Sequence, residues 1–389
     1  MKNRLSLGTA RLNYPEKRFF SKLENINIKN LQRYDINRYK NKLLGNSSKP
    51  DYFFKSFLTD NIIDVDNFYM FNYLLDTKKN WALSFETLIP RIYSTYDIHR
   101  KNTPLNERKK DDSVCKYLEL LSKENCLAIN AISKASLKIH CDFLTPYEEY
   151  FDEIMKKTKI LHPPQEIYLH ERSTNNSEKL KLLFVGNDFH RKGGGEIIIA
   201  IDELIKEKVL DNGNLEVLLV GDFESKHNYA LNEFQDDSEY FDKLSNIIEK
   251  HNCINVVKNI KNEDLLNIMA VSDIGLLPTW ADTYGYSVLE MQSMSLPVIS
   301  TNVRTLPEIN FVKNVINIPV NSYGELIIKS DKDKEIFRRY IVDGIKSRVE
   351  NYFFNRVLIL EDAAQSINSL DSLNNPNIFR EEINQLFLS

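Results

Sequence analysis

The sequence predicts two α/β domains, the second built on a doubly wound parallel sheet, and three observations carry that expectation. A chain of 389 residues exceeds one ordinary hydrophobic core and suits two. From Lys179 onward, strand-length apolar runs alternate cleanly with helical stretches, and such alternation demands right-handed crossovers between parallel strands. A looser form of the same alternation runs from Asp66 to Pro164.

Up to about Asn61 the chain is rich in Lys, Asn and aromatic residues with weak periodicity, so no element is fixed there. FYMFNYLL and NWALSFETLIP are each of strand length, separated by the turn-like TKKN. Residues 96–112 are polar and read as a loop. SVCKYLELLSKENCLAINAISKASLKIHCDFL reads as helix, short strand (CLAIN) and a helix opened by Ser133, which serves as its cap. EEYFDEIMKKTKILHPP adds a helix and a strand ending at Pro163 and Pro164, and HERSTNNSEK is a polar linker. Then follow strand KLLFVG, helix GGEIIIAIDELIKEK, strand LEVLLVG, helix EYFDKLSNIIEKH, strand INVVKN, helix NEDLLNIMAVS, strand DIGLLPT, helix YSVLEMQSMS and strand LPVIST.

Composition removes several function classes. No run of about 18 apolar residues offers a membrane span, and MKNRLSLGTARLNYPEKRFF has no apolar core ahead of a cleavage site, so a cytoplasmic protein without a secretion signal is expected. A net charge of -4 with local patches such as 108–110 does not suit wrapping nucleic acid. Cys115, Cys126, Cys141 and Cys253 lack CxxC spacing and nearby His, so buried reduced thiols and no structural zinc are expected.

In a parallel sheet ligands gather at the carboxyl ends of strands, so VGNDFHRKGG, VGDFES and PTWADTYGYS should converge. WADTYGYSVLEMQSMSLPVIST puts Asp282 just before a helix, Gly285 in the turn and Glu290 inside the helix, and the amides of such a turn suit a diphosphate. Taken singly, Asp282 is a helix cap, Glu290 a solvated residue and Arg191-Lys192 a solvated pair; together they make a site. The run Gly193, Gly194, Gly195 lacks GxGxxG spacing, which disfavours an NAD-dependent enzyme.

These motifs resemble the signature of the retaining glycosyltransferase family 4, in which two acids separated by seven residues precede a Pro-Val strand. Asp282 stands where the family usually has its first Glu, and Glu290 is the second. The resemblance covers 179–307 and, less closely, 80–164. It implies the GT-B fold: two Rossmann-like domains with parallel sheets facing across a cleft. Domains of 1–167 (acceptor side, reduced or diverged) and 168–370 (nucleotide-sugar side) are expected, with 371–389 as a helix returning to the first. NYFFNRVLILEDAAQSIN resembles the long helix that precedes that return.

The resemblance further implies that Asp282 and nearby amides hold the donor sugar, Glu290 accepts from the ribose, and Arg191 and Lys192 neutralise the leaving diphosphate. Many members carry Arg where this chain has Asn187, directly after Gly186. The donor set expected on this basis is Gly186, Asn187, Arg191, Lys192, Asn259, Ile260, Asp282, Thr283, Tyr284, Gly285, Tyr286, Ser287 and Glu290, with Asn259 and Ile260 near the base. WALSFETLIPR places Glu86 as an acceptor-side base, or as a structural partner of Arg91. The family's opening apolar strand and glycine-rich loop are not recognisable in MKNRLSLGTARLNYPEK.

The expected activity is therefore transfer of a sugar with retention from a UDP- or GDP-type donor to a glycan or lipid-linked acceptor, metal-independent and without a cofactor. The Lys- and Asn-rich composition suits an AT-rich bacterial genome, and the resemblance implies a cell-surface polysaccharide setting, with peripheral contact at the inner membrane face. The rival is a catalytically inactive nucleotide-sugar-binding protein that kept the fold.

Overall fold

The computed structural model describes residues 5–21, 23, 26–43, 52–55, 64–100, 103–171, 178–310 and 312–388. It divides into two compact units, 1–164 with 374–389, and 165–373.

The first unit runs β1 (Ser6–Thr9), α1 (Tyr14–Phe20), β2 (Asn27–Asn30), α2 (Ile36–Leu43), β3 (Phe53–Phe54), β4 (Asn67–Phe71), β5 (Leu74–Leu75), β6 (Trp81–Phe85), α3 (Asp112–Ser122), β7 (Cys126–Ala131), α4 (Lys134–Leu144), α5 (Glu148–Lys157) and β8 (Thr158–Ile160). Six strands form one parallel sheet in the order β2-β1-β4-β6-β7-β8, so the order reverses between β1 and β4. FYMFNYLL supplies two strands, because β5 leaves the main sheet to pair with β3.

Every residue of β6 is buried, as both faces of a parallel sheet are covered. Its Ser84 is satisfied there by the Tyr69 hydroxyl at 2.6 Å, which in turn accepts from Asn130 Nδ2 at 3.2 Å. Ser133 caps α4 as expected, its Oγ accepting the Ser136 N–H at 3.0 Å. The loop over 96–112 carries two short 3-10 turns.

The opening strand, not recognisable in MKNRLSLGTARLNYPEK, is β1. It is four residues long with Leu7 its one large apolar side chain, and Gly8 at its centre lies so close to Leu31 and Phe68 that a Cβ would meet them at 2.7 and 2.8 Å. No glycine-rich loop follows it; Arg11 does.

The second unit runs β9 (Leu180–Val185), α6 (Gly194–Lys206), β10 (Leu215–Val220), α7 (Ser238–Lys250), β11 (Ile254–Val257), α8 (Asn262–Val271), β12 (Ile274–Leu277), α9 (Tyr286–Ser293), β13 (Val298–Thr301), α10 (Leu306–Ile309), β14 (Val315–Ile316), α11 (Asp331–Phe354) and α12 (Val357–Asn374). Its sheet is parallel, ordered β11-β10-β9-β12-β13-β14, which is the dinucleotide-fold order with its reversal between β9 and β12.

NYFFNRVLILEDAAQSIN is two helices, not one. Asn355 turns its side chain back onto the Asn351 carbonyl at 3.1 Å, a local bond that competes with continued helix. The last helix, α13 (Pro376–Leu388), sets the Phe379 ring 5.4 Å from that of Phe19 and 6.2 Å from that of Tyr69.

Among the described residues no helix is long and apolar enough to cross a membrane. Cys126 and Cys253 are buried thiols, whereas Cys115 and Cys141 are half-exposed because they lie on the outer sides of α3 and α4, a correction to the expectation of four buried ones.

Candidate functional site

The site assembles at the carboxyl ends of β9 and β12, the two strands that flank the reversal in the second sheet. The β9 loop, Gly186 to Gly193, turns tightly because its glycines admit close approach. A Cβ on Gly193, whose φ is +92°, would sit 2.3 Å from the Pro278 carbonyl oxygen. The loop is then tied to the β12 loop through the Arg191 carbonyl, which accepts the Trp280 N–H at 2.9 Å.

Arg191 is held from three sides: by Asp188, by the Ala281 carbonyl and by the Tyr229 ring, whose centre lies 5.0 Å from the guanidinium carbon. Burial opposes its charge, but Tyr229, Asp188 and Asp282 outweigh that and keep it protonated.

Lys192 bonds Asp282 across ninety positions of sequence. The other Asp282 oxygen accepts the Thr283 N–H at 2.8 Å and the Tyr284 N–H at 3.4 Å. Burial raises the Asp282 carboxyl, but Lys192 and then Arg191 overcome it and hold it below the usual carboxylate value. Burial lowers the Lys192 ammonium, with Arg191 adding to the effect. A lysine under those conditions gains from any anion brought against it.

Gly285, with φ +90°, opens α9, and a Cβ there would meet Leu306 at 2.4 Å. The Thr283 carbonyl is pinned by the Thr305 hydroxyl at 2.9 Å, and the Tyr284 and Tyr286 rings lie 5.3 Å apart. Two helix N-termini, those of α6 and α9, thus open beside one Lys–Asp pair. A helix N-terminus carries unpaired N–H groups and a partial positive charge, so the arrangement can receive a doubly charged phosphate group.

Of the residues named from sequence, Gly186, Arg191, Lys192, Asp282, Thr283, Tyr284 and Gly285 belong to this linked pair of loops. Asn187 is exposed, but its carbonyl accepts the Asp222 N–H at 3.2 Å, which fixes the loop after β10. Tyr286, Ser287 and Glu290 are half-buried on α9. Asn259 is exposed and Ile260 half-buried beyond β11, the edge strand, and neither shares a hydrogen bond with the Lys192–Asp282 pair.

Glu86 lies in the first unit, directly after β6. Its carboxylate accepts Arg91 Nη1 at 3.1 Å and Asn72 Nδ2 at 3.2 Å, the structural pairing that was one of its two expected roles.

Three supporting residues escaped the sequence reading. Asp188 and Tyr229 hold Arg191. Arg338 of α11 reaches Glu196 in the first turn of α6 at 3.1 Å, grips both oxygens of Asp236 at 2.7 and 2.8 Å, and lies 5.7 Å from the Trp280 ring. Asp188 had a signal, being three residues before Arg191 in the same loop. Arg338 had none, since 142 positions separate it from Glu196.

Residues 167–327 match the family model described as glycosyl transferases group 1. Among solved structures, a glycosyltransferase from Rickettsia africae is 12% identical, with a TM-score of 0.58 over 99% of this chain and 98% of that one. WaaG, a glycosyltransferase involved in lipopolysaccharide biosynthesis, is 14% identical, with a TM-score of 0.57 over 97% and 99%. Trehalose-6-phosphate synthase, studied for glycosyl transfer with retention, is 10% identical, with a TM-score of 0.59 over 100% and 99%. A curated relative, the probable capsid protein 3 of Acanthamoeba polyphaga mimivirus, is 22% identical over 79% of this chain, which spans only 14% of that protein's length. At such identities the structural likeness gives the fold, GT-B, with two Rossmann-like units. Residues 167–327, less than half of the chain, are thus similar to the glycosyl transferases group 1 family.

Proposed function

We propose that this chain transfers a sugar, with retention of anomeric configuration, from a UDP- or GDP-sugar bound by the second unit to a glycan or lipid-linked acceptor. The observation that carries the reading is the Lys192–Asp282 pair set between the N-termini of α6 and α9. In this reading the diphosphate takes over Lys192, and Arg191 and the helix amides share its charge as the bond to the sugar breaks. Asp282, released from Lys192 but still held by two backbone N–H groups, then accepts from the sugar hydroxyls. Glu290 receives the ribose hydroxyls. The attack comes from the face that the diphosphate leaves, with a donor phosphate oxygen taking the acceptor proton, so no metal is required.

Glu86 holds Arg91 and Asn72 and is therefore assigned to shaping the first unit's loop rather than to deprotonating the acceptor. The composition and the likeness to WaaG, itself involved in lipopolysaccharide biosynthesis, support a bacterial cell-surface polysaccharide setting at the inner membrane face.

Thermal shift with UDP-, GDP-, ADP- and CMP-sugars, on the wild type and on Glu290→Ala, tests the donor site, since a ligand of the folded state raises its stability. A shift with UDP- or GDP-sugar that Glu290→Ala abolishes is expected; no shift with any of the four sinks the reading. Proton NMR of the product then tests retention, which an inverted anomeric signal refutes. Donor binding without turnover on any acceptor assigns the chain instead to an inactive nucleotide-sugar-binding protein.

A further inference from the structure

The carboxyl edge of the first sheet carries a second group of charged side chains, independent of the Lys192–Asp282 pair. Arg11 lies two residues beyond β1 and Tyr73 two beyond β4, the strands between which that sheet reverses order. Such a reversal opens a crevice outside the strand ends. The Arg11 guanidinium carbon is 5.4 Å from the centre of the Tyr73 ring and 5.6 Å from that of Tyr52. Arg91 lies 4.9 Å from Tyr52 and 4.7 Å from Tyr96, two rings parallel to within 5°. The backbone fixes this stack, with the Tyr52 N–H donating to the Arg91 carbonyl at 3.1 Å and the Leu74 N–H to the Tyr52 carbonyl at 2.9 Å.

A count of donors and acceptors shows what the cluster lacks. Glu16, 1% exposed, spends one oxygen on Arg11 Nε at 2.7 Å and the other on the Asn13 N–H at 3.1 Å. Glu86 is taken by Arg91 and Asn72. Among the described residues, the two terminal amino groups of Arg11, the second terminal amino group of Arg91 and the Tyr73 hydroxyl have no hydrogen-bond partner. Burial pushes the Tyr73 phenol up to about 12, so it donates at neutral pH. The free groups are thus donors, on two arginines and one neutral phenol, and Glu16 and Glu86 are already engaged.

We propose that Arg11, Tyr73 and Arg91 bind an anionic group, a carboxylate or a phosphate, carried on the sugar acceptor. A guanidinium fork matches either anion bidentately. Arg11, 26% exposed at its side chain, makes the contact, and Arg91, locked between Tyr52 and Tyr96, sets its depth. The inference rests on the glycosyltransferase reading only in taking the ligand to be the acceptor.

The test is calorimetric titration of the full chain with glucuronate, glucose 6-phosphate and glucose, without donor. One of the two charged sugars should bind at least about tenfold more tightly than glucose, since charge-assisted bonds are the stronger ones. Which of them does so distinguishes carboxylate from phosphate. Arg11→Gln should abolish the preference, and Arg11→Lys, which keeps the charge without the fork, should retain part of it. Because Arg11→Gln also strips Glu16 of its partner, Tyr73→Phe provides a milder variant that keeps the ring and should weaken the charged sugar alone. Equal binding of the three sugars, binding of none, or a preference that survives both Arg11→Gln and Tyr73→Phe overturns the proposal. The donor thermal shift, run on the same samples, separates the two readings. Its absence with the charged-sugar preference intact refutes donor use and leaves this site standing.

Discussion

Replacing Lys192 by Met tests whether the Lys192–Asp282 pair is an integral part of the second unit or an incidental contact. Lys192 and Asp282 are 15% and 10% exposed at their side chains, so the variant strands a carboxylate that water barely reaches. Removing one partner of a buried ion pair costs about 3–5 kcal/mol. Asp282 keeps two backbone N–H bonds and the nearby Arg191 charge, which argues for the lower end, about 3 kcal/mol. For a unit of this size that lowers Tm by roughly 6–12 °C. Adding Asp282→Asn removes the stranded charge, so the double variant should recover about 2 kcal/mol relative to the sum of the two single changes. The assay is scanning calorimetry of the four proteins, following the transition of the second unit. The sign with pH follows from the depressed Asp282 carboxyl: its contribution is present above the ordinary value of 3.8 and is lost as pH falls through the lower folded value. A Lys192→Met transition within 2 °C or so of the wild type, or strict additivity in the cycle, refutes this account of the pair.

Gly193→Ala should destabilise the second unit by at least about 2 kcal/mol, because a left-handed φ alone costs an alanine roughly 1–2 kcal/mol and its Cβ would also meet the Pro278 carbonyl. An unchanged urea midpoint would show that the loop is not built as described. In the first unit, burial pushes the His140 imidazole from 6.5 down to about 3, and its Nδ1 accepts the Ile89 N–H at 3.4 Å. The unfolded chain therefore binds this proton more readily, so the unit loses about 2 kcal/mol between pH 7 and pH 5 on this account. Urea unfolding at both pH values should show that loss shrink by the same amount in His140→Gln; an equal loss in both proteins sinks the assignment.

How much of this was legible depended on whether a feature is local in sequence. From Lys179 onward the strands and helices through β13 follow the apolar alternation, because each is long and buried enough to impose its period. β1 and β2 left little trace. β1 has Leu7 alone as a large apolar residue, and β2, at the sheet edge, buries none of its four residues, so neither needed an apolar pattern. The same limit applied within the site. Asp282 and Lys192 could each be named from a motif, but their bond could not, since it depends on β9 pairing with β12 across two intervening strands, Leu182 against Ile274 and Phe184 against Leu276. The Arg338 network that supports both loops spans still longer separations and has no motif.

The two units place their chemistry at one topological position. In each, a cation follows the first strand of the sheet, Arg11 after β1 and Arg191-Lys192 after β9, and in each it meets a side chain from the strand across the reversal, Tyr73 after β4 and Asp282 after β12. The difference between the partners decides what each edge can hold. A phenol takes up no guanidinium N–H, and Glu16 holds Arg11 only at Nε, so the first edge can receive an anion without displacing a side chain. A carboxylate cancels the lysine's charge, so the second edge accepts an anion only by displacing Asp282, which is then free to accept hydrogen bonds from whatever the anion carries. A nucleotide-sugar satisfies that exchange in one molecule, supplying a diphosphate for Lys192 and sugar hydroxyls for Asp282. A free phosphate supplies only half of it, and at equal concentration should therefore stabilise the second unit less than a nucleotide-sugar does.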